Sequence, residues 1–151
     1  MFDANSFMNA VTTEVNDTKI KPCPVGEYPA TIKEVKASSG TGKNGSPWAR
    51  LDVICIINDH TGAVEAATGS KEKQVRGGIM LDITEAGTLD NGTGKNIRLG
   101  RLREAAGMNK PGQAFSPAML QGMSLRVKIG HSADPQDAST IYDEVTGFAP
   151  L

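Results

Sequence analysis

Apolar and polar positions alternate with a period of two in five stretches of this chain, and with a helical period in one. In residues 26–37, Tyr28, Ala30 and Ile32 share one face; Val35 breaks the alternation, which predicts a bulge at Lys33-Glu34. In residues 47–58, Leu51, Val53, Cys55 and Ile57 point one way, while Ile54 and Ile56 share the other face with Arg50 and Asp52. Such a strand is expected at a central position, covered on both faces along its far half. Residues 74–83 form a third strand, in which Gly77-Gly78 predicts a bulge or a sharp bend. In residues 97–108, Leu99, Leu102 and Ala106 recur at i, i+3 and i+7, so a helix is expected, capped by Asn96 and stopped at Gly107. Residues 123–130 turn Met123, Leu125, Val127 and Ile129 inward and Ser124, Arg126 and Lys128 outward. Residues 140–149 oppose Ile141, Asp143 and Val145 to Tyr142, Glu144 and Thr146.

Three strands, a helix and two strands is the chain order of the OB-fold, a five-stranded, partly open barrel (β-β-β-α-β-β) whose groove often holds single-stranded nucleic acid. The expected class is therefore all-β with one or two short helices. Between the periodic runs, residues 38–46 read as a flexible hairpin loop and residues 59–73 as a turn and polar loop. Residues 84–96 read as a long glycine-rich loop and residues 131–138 as a polar turn, and Ser116-Pro117 opens a very short helix. Residues 1–21 lack strand periodicity and form an N-terminal arm ahead of one domain, residues 22–151. Within the arm Phe2, Phe7 and Met8 can make a short amphipathic turn or dock on a neighbour.

Composition fits one globular domain: 151 residues, 38% hydrophobic and 22% charged. No apolar run approaches the roughly 18 residues of a membrane span, and the N-terminus lacks the basic head and apolar stretch of a signal peptide. A cytoplasmic protein is expected, with Cys55 a buried thiol and Cys23 a loop thiol. Two cysteines and two histidines without close spacing imply no metal site and no cofactor. No carboxylate pair, triad or nucleophile setting is recognisable around Asp52, Asp82, Glu85, Asp90, His60 or His131, so the chain is not expected to be an enzyme. Gly-Thr-Gly-Lys-Asn occurs at residues 40–44 and 92–96. A phosphate-binding P-loop needs a glycine where Ala37 and Leu89 stand and a Ser or Thr where Asn44 and Asn96 stand, so nucleotide hydrolysis is not indicated.

Charge changes the picture more than composition does. The net charge is −1, yet residues 71–128 carry 10 basic and 5 acidic side chains, and residues 129–151 carry 4 acidic and none basic. A phosphate backbone feels such local sign within a Debye length. On an OB-type groove, Arg50 and Arg76 reach from strands, and Lys43, Lys71 and Lys73 from loops. Lys95 joins from the second Gly-Lys loop, and Arg126 and Lys128 extend the track along the fourth strand. Arg98, Arg101 and Arg103 are ambiguous, because an OB helix normally plugs the barrel away from the groove. Trp48, beside Pro47 and two residues from Arg50, is the leading base-stacking residue, and Tyr142 is secondary.

Four stretches carry a resemblance: Pro24-Val25-Gly26-Glu27-Tyr28; Gly45-Ser46-Pro47-Trp48-Ala49-Arg50-Leu51-Asp52-Val53; Leu99-Gly100-Arg101-Leu102-Arg103-Glu104-Ala105; and Met119-Leu120-Gln121-Gly122-Met123-Ser124-Leu125-Arg126-Val127, with a closing Val145-Thr146-Gly147-Phe148. Over roughly residues 22–149 the chain resembles small tailed-phage proteins that bind single-stranded DNA or assist DNA metabolism through an OB-type barrel. The resemblance implies a protein that coats single-stranded DNA with little sequence preference during replication or recombination. Other phage replication or recombination proteins, and copies of the chain itself, are the implied partners, in the host cytoplasm. The chain ends Phe148-Ala149-Pro150-Leu151 instead of in the acidic tail of bacterial single-strand-binding proteins, so recruitment through such a tail is not expected. The alternative reading is a virion structural protein, a decoration or connector β-barrel.

Overall fold

The computed structural model describes residues 1–151. Its elements are α1 (Ala4–Met8), β1 (Gly26–Thr41), β2 (Pro47–Ile57), α2 (Ala63–Thr68), β3 (Gln74–Leu81), α3 (Ile97–Ala105), a 3-10 turn (Pro117–Leu120), β4 (Ser124–Ala133) and β5 (Ile141–Ala149). The strands form one antiparallel sheet in the order β3-β2-β1-β4-β5. No helix is long and apolar enough to cross a membrane.

β1 belongs to two ladders. Its first half pairs with β4, from Gly26 opposite Ile129 to Thr31 opposite Ser124. Its second half pairs with β2 as far as Thr41 opposite Pro47. The register slips between Ile32 and Glu34, where the broken alternation predicts a bulge. The bulge returns Val35 to the core side, against which it packs half-buried.

The outer strands β3 and β5 are not paired with each other, so hydrogen bonds do not close the sheet into a barrel. In a flat five-stranded sheet they would lie about 19 Å apart. Here a β-carbon built on Gly77 of β3 falls 3.3 Å from Val145 Cβ and from Phe148 Cζ of β5. The sheet is therefore rolled until its edges touch through side chains. Gly77 marks this close approach and not a bulge, since β2 and β3 stay in unbroken register from Ala49–Leu81 to Ile56–Gln74. One end of the seam carries an ion pair, Lys73 Nζ 3.6 Å from Asp143 Oδ2. Asp143 Oδ1 also accepts the Cys23 amide at 2.6 Å, and His131 Nε2 donates to the Cys23 carbonyl at 2.6 Å. The lead-in to β1 is thereby stitched to β4 and β5.

Alternate residues of the rolled sheet face one core. Ile32, Leu51, Val53, Cys55, Ile57, Ile79, Leu125, Val127 and Ile129 are all buried in it, joined by Leu99 and Leu102 of α3, Leu120 and Cys23. Cys23, the expected loop thiol, does lie in the loop before β1, and that loop carries it into the core. Val64 enters the core from α2, a helix in the stretch expected to be a loop. Gly62 and Gly69 bracket it in left-handed conformation, and Asp59 Oδ2 accepts the Val64 amide at 3.0 Å. β1 and β4 also run further than expected, taking in Ser38–Thr41 and His131–Ala133, residues read from sequence as loop and turn. Gly107 (φ +73°) follows α3 as expected. Asn96 precedes that helix, but its side chain caps nothing. It receives the Asp82 amide at 2.8 Å and donates to the Asp82 and Asp90 carbonyls, tying the long loop to the end of β3.

Residues 1–21 contain no buried side chain. Phe2 and Phe7 meet across α1 with ring centroids 5.2 Å apart. Lys19 alone among the arm's cations forms an ion pair with the domain, at 3.1 Å from Asp137.

Two outcomes follow for stability. Leu125→Ala leaves a hole in the core and is expected to cost about 2–5 kcal/mol in denaturant titration, against about 0.5 kcal/mol or less for the neighbouring exposed Arg126→Ala. Burial also raises the Cys55 thiol to about 12, and the Tyr28 phenol likewise to about 12. Both groups keep their protons in the folded chain after the unfolded chain has lost them. Their contribution is therefore complete below the ordinary thiol value of 9.0 and is lost as pH rises through about 12. Denaturation midpoints should fall steadily over that alkaline window, and Cys55→Ala should make the fall shallower.

Candidate nucleic-acid interface

The outward faces of β1, β2 and β3 form rows across the sheet: Ser38–Arg50–Met80, Lys36–Asp52–Gly78 and Glu34–Ile54–Arg76. Trp48 stands at the head of this face opposite Gly40. The indole lies directly over that glycine: a β-carbon at residue 40 would be 2.7 Å from Trp48 Cζ2. The Arg50 guanidinium sits 5.6 Å from the ring centroid, within cation–π range. Its Nε is 3.1 Å from Asp52 Oδ1, so Arg50 holds a position beside the ring and already has an acidic partner.

Beside Trp48 a cleft of about 420 Å³ opens at the ends of β2 and β3. Pro47, Leu81 and Ile83 give it apolar walls, and Ser39, Thr84 and Glu85 give it polar ones. Leu81 and Ile83 were not singled out from sequence. Their signal is an apolar i, i+2 pair that runs from the last ladder position of β3, Leu81, to Ile83 beyond it, where a strand end would normally turn polar. Ile83 is held there by an isolated bridge to Leu89.

The other expected residues fall into three groups. Lys43, Lys71 and Arg76 are exposed around the β1–β2 turn, the loop before β3 and the β3 face, and none makes an ion pair. Arg126 and Lys128 project from the outer face of β4, while Lys95 lies in the loop before α3, in a wide polar cleft that also receives Arg103. Lys73 and Tyr142 are engaged elsewhere. Lys73 keeps only 17% side-chain exposure against Asp143, and the Tyr142 phenol donates to Asp134 at 2.8 Å. Arg103 is structural: its Nε donates to the Met108 carbonyl, and its guanidinium stacks 4.2 Å from the Phe115 centroid.

The β4–β5 turn is anionic. Ser139 and Thr140 hydroxyls and Lys19 hold the Asp137 carboxyl well below the usual range. The Gln136 amide and the Tyr142 phenol lower Asp134 in the same sense. Two carboxylates fixed in their charged form repel a phosphate backbone from that turn. Cation density lies instead on the β2–β3 side and around α3. No group of three or more His, Cys, Asp or Glu side chains is placed to hold a metal ion.

No protein-family model and no curated protein matches this sequence.

Gly40→Ala tests the placement of the indole. The added methyl cannot coexist with a ring 2.7 Å away, so Trp48 must move off β1. Because Trp48 is the one tryptophan, its emission maximum should shift toward that of a solvated indole, while far-ultraviolet circular dichroism stays unchanged. An emission spectrum identical to that of the parent chain would contradict this packing.

Proposed function

We propose that this chain is an OB-type barrel protein that binds single-stranded DNA without strong sequence preference, on the outward face of β2 and β3. The observation that carries the reading is the half-buried Trp48 beside an apolar-walled cleft, at the head of a strand face edged by unpaired cations. The strand order supports it: an OB barrel also places its first strand between the second and fourth, and uses the face of strands 2 and 3 with the turns around it. A base entering the cleft stacks on the exposed side of the indole. Arg50 stays clamped to Asp52 and steadies the ring, while Arg76, Lys43 and Lys71 receive backbone phosphates. The anionic β4–β5 turn keeps the strand to the β2–β3 side. The mechanism is stacking plus charge neutralisation, with no chemical step. The resemblance to small tailed-phage proteins supports a role in coating DNA during replication or recombination in the host cytoplasm.

A second reading has its own observation. Phe2, Phe7, Met8, Val11, Val15 and Ile20 are all exposed along residues 1–21, as in an arm that docks on neighbouring subunits of a virion. Under that reading the isolated chain assembles and ignores DNA.

Titration with oligo-dT at several salt concentrations separates the two. Stacking should quench Trp48, and log affinity should fall linearly with log salt, by about 0.7 per phosphate contact. Trp48→Ala should lose about 1–3 kcal/mol with the salt slope unchanged, whereas Arg76→Ala should weaken binding and flatten the slope. Absence of oligo-dT binding at low salt, or tighter binding to duplex, would overturn the proposal.

A further inference from the structure

A second concentration of unpaired charge lies where α3 packs against β5 and β3, beside Lys128 of β4. A confined cleft of about 250 Å³ is walled there by Arg98 and Arg101 of α3 and by Lys128 of β4, over a floor of Ile79 and Phe148. Arg98 and Arg101 are one helical turn apart and share a face, which flanks the stripe of buried Leu99 and Leu102. Lys128 arrives from the other side. Its stem passes across Gly147 of β5, where a β-carbon would already touch Lys128 Cδ at 3.4 Å. None of the three cations makes an ion pair, and no carboxylate lines the cleft. Glu104, the next acidic residue along α3, faces a neighbouring depression and is unpaired as well.

Three like charges converging within a Debye length repel one another, and an anion seated between them relieves that repulsion. Guanidinium forks match phosphate oxygens in pairs, and the lysine adds a point charge. A single diester charge would leave the cleft strongly positive. A phosphomonoester, with a charge of about −1.5 to −2 near neutral pH, or a diphosphate matches it better. The confined shape likewise suits one phosphoryl group and not a run of backbone.

We propose that this cleft is a second binding site, for a phosphoryl group carrying about two negative charges, held by Arg98, Arg101 and Lys128. Two sources share that chemistry: the terminal phosphate of a nucleic-acid strand and a free phosphorylated compound. The site shares no residue with the Trp48 cleft, so it stands or falls independently of the proposed strand-binding face.

Amide resonances of the isotope-labelled chain should be followed during titration with pyrophosphate, with a 5′-phosphorylated dT trinucleotide and with its 5′-hydroxyl counterpart, at ionic strength matched with sodium chloride. Saturable shifts at Arg98, Arg101, Lys128 and Gly147 are expected with pyrophosphate, while Trp48 emission stays constant. The exposed positions of all three cations make R98Q/R101Q/K128Q a folded variant, and it should lose about tenfold or more in affinity. A phosphorylated trinucleotide that binds more tightly than its hydroxyl counterpart identifies a strand end as the source. Equal trinucleotide affinities alongside pyrophosphate binding identify a free compound. No saturable shift at these amides with either phosphorylated ligand, or unchanged affinity in the triple variant, would overturn the proposal.

Discussion

β1 is hydrogen-bonded to β4 along its first half and to β2 along its second, with only Ala30 and Thr31 paired on both sides. The change of partner coincides with the slip at Lys33, where one extra residue bends the strand. Without that bend the two ladders would continue as one flat sheet, and β3 and β5 would stand too far apart to touch. The bend brings Gly77 against Val145 and Phe148 and gives the nineteen buried residues a common interior. Each surface feature discussed above depends on it, because it sets which side chains face inward.

The seam between β3 and β5 is held by unlike means along its length. A shielded ion pair, Lys73–Asp143, sits at one end; van der Waals contact at Gly77 forms the middle; α3 packs against both strands further on. Removing either partner of that ion pair would strand a poorly solvated charge, so it favours this one closure over alternatives. The same arrangement sorts the cations. Lys73 is used inside the seam, Arg103 on Phe115, and Arg50 on Asp52, which leaves Lys43, Arg76 and Lys71 unpaired at the β1–β2 turn, on β3 and in the loop before it, and Arg98, Arg101 and Lys128 unpaired around the α3 cleft.

Strand existence was legible in the sequence because alternation records burial: Leu51-Val53-Cys55-Ile57 and Leu125-Val127-Ile129 are buried as their spacing implies. The Val35 break located the bulge for the same reason. Strand length was not legible where the chain leaves the core. Ser38–Thr41 and His131–Ala133 pair in ladders, yet they bury little and so carry no hydrophobic signature. The six-residue α2 offers one buried residue, Val64, too few to show a period. Partnerships distant in sequence, such as Lys73 with Asp143 and Cys23 with His131, leave no local trace. For the candidate interface, Trp48 beside Arg50 was legible because i and i+2 share a strand face. The gathering of Arg98, Arg101 and Lys128 was not, since it needs α3 laid against the seam of β5 and β3.

The far end of the β1–β2 hairpin stands outside this scaffold. Beyond Ser39 and Ala49, where the ladder to β3 ends, the two strands run on as a ribbon, and the turn at residues 42–46 has no buried residue. Changes in its length or charge therefore cost the core nothing. Yet the ribbon carries Trp48 on its own backbone, one pairing step from the turn. Variation that is neutral for folding is thus coupled to the aromatic face, and a lineage of such chains can change how that face is presented through the turn while the rolled sheet stays fixed.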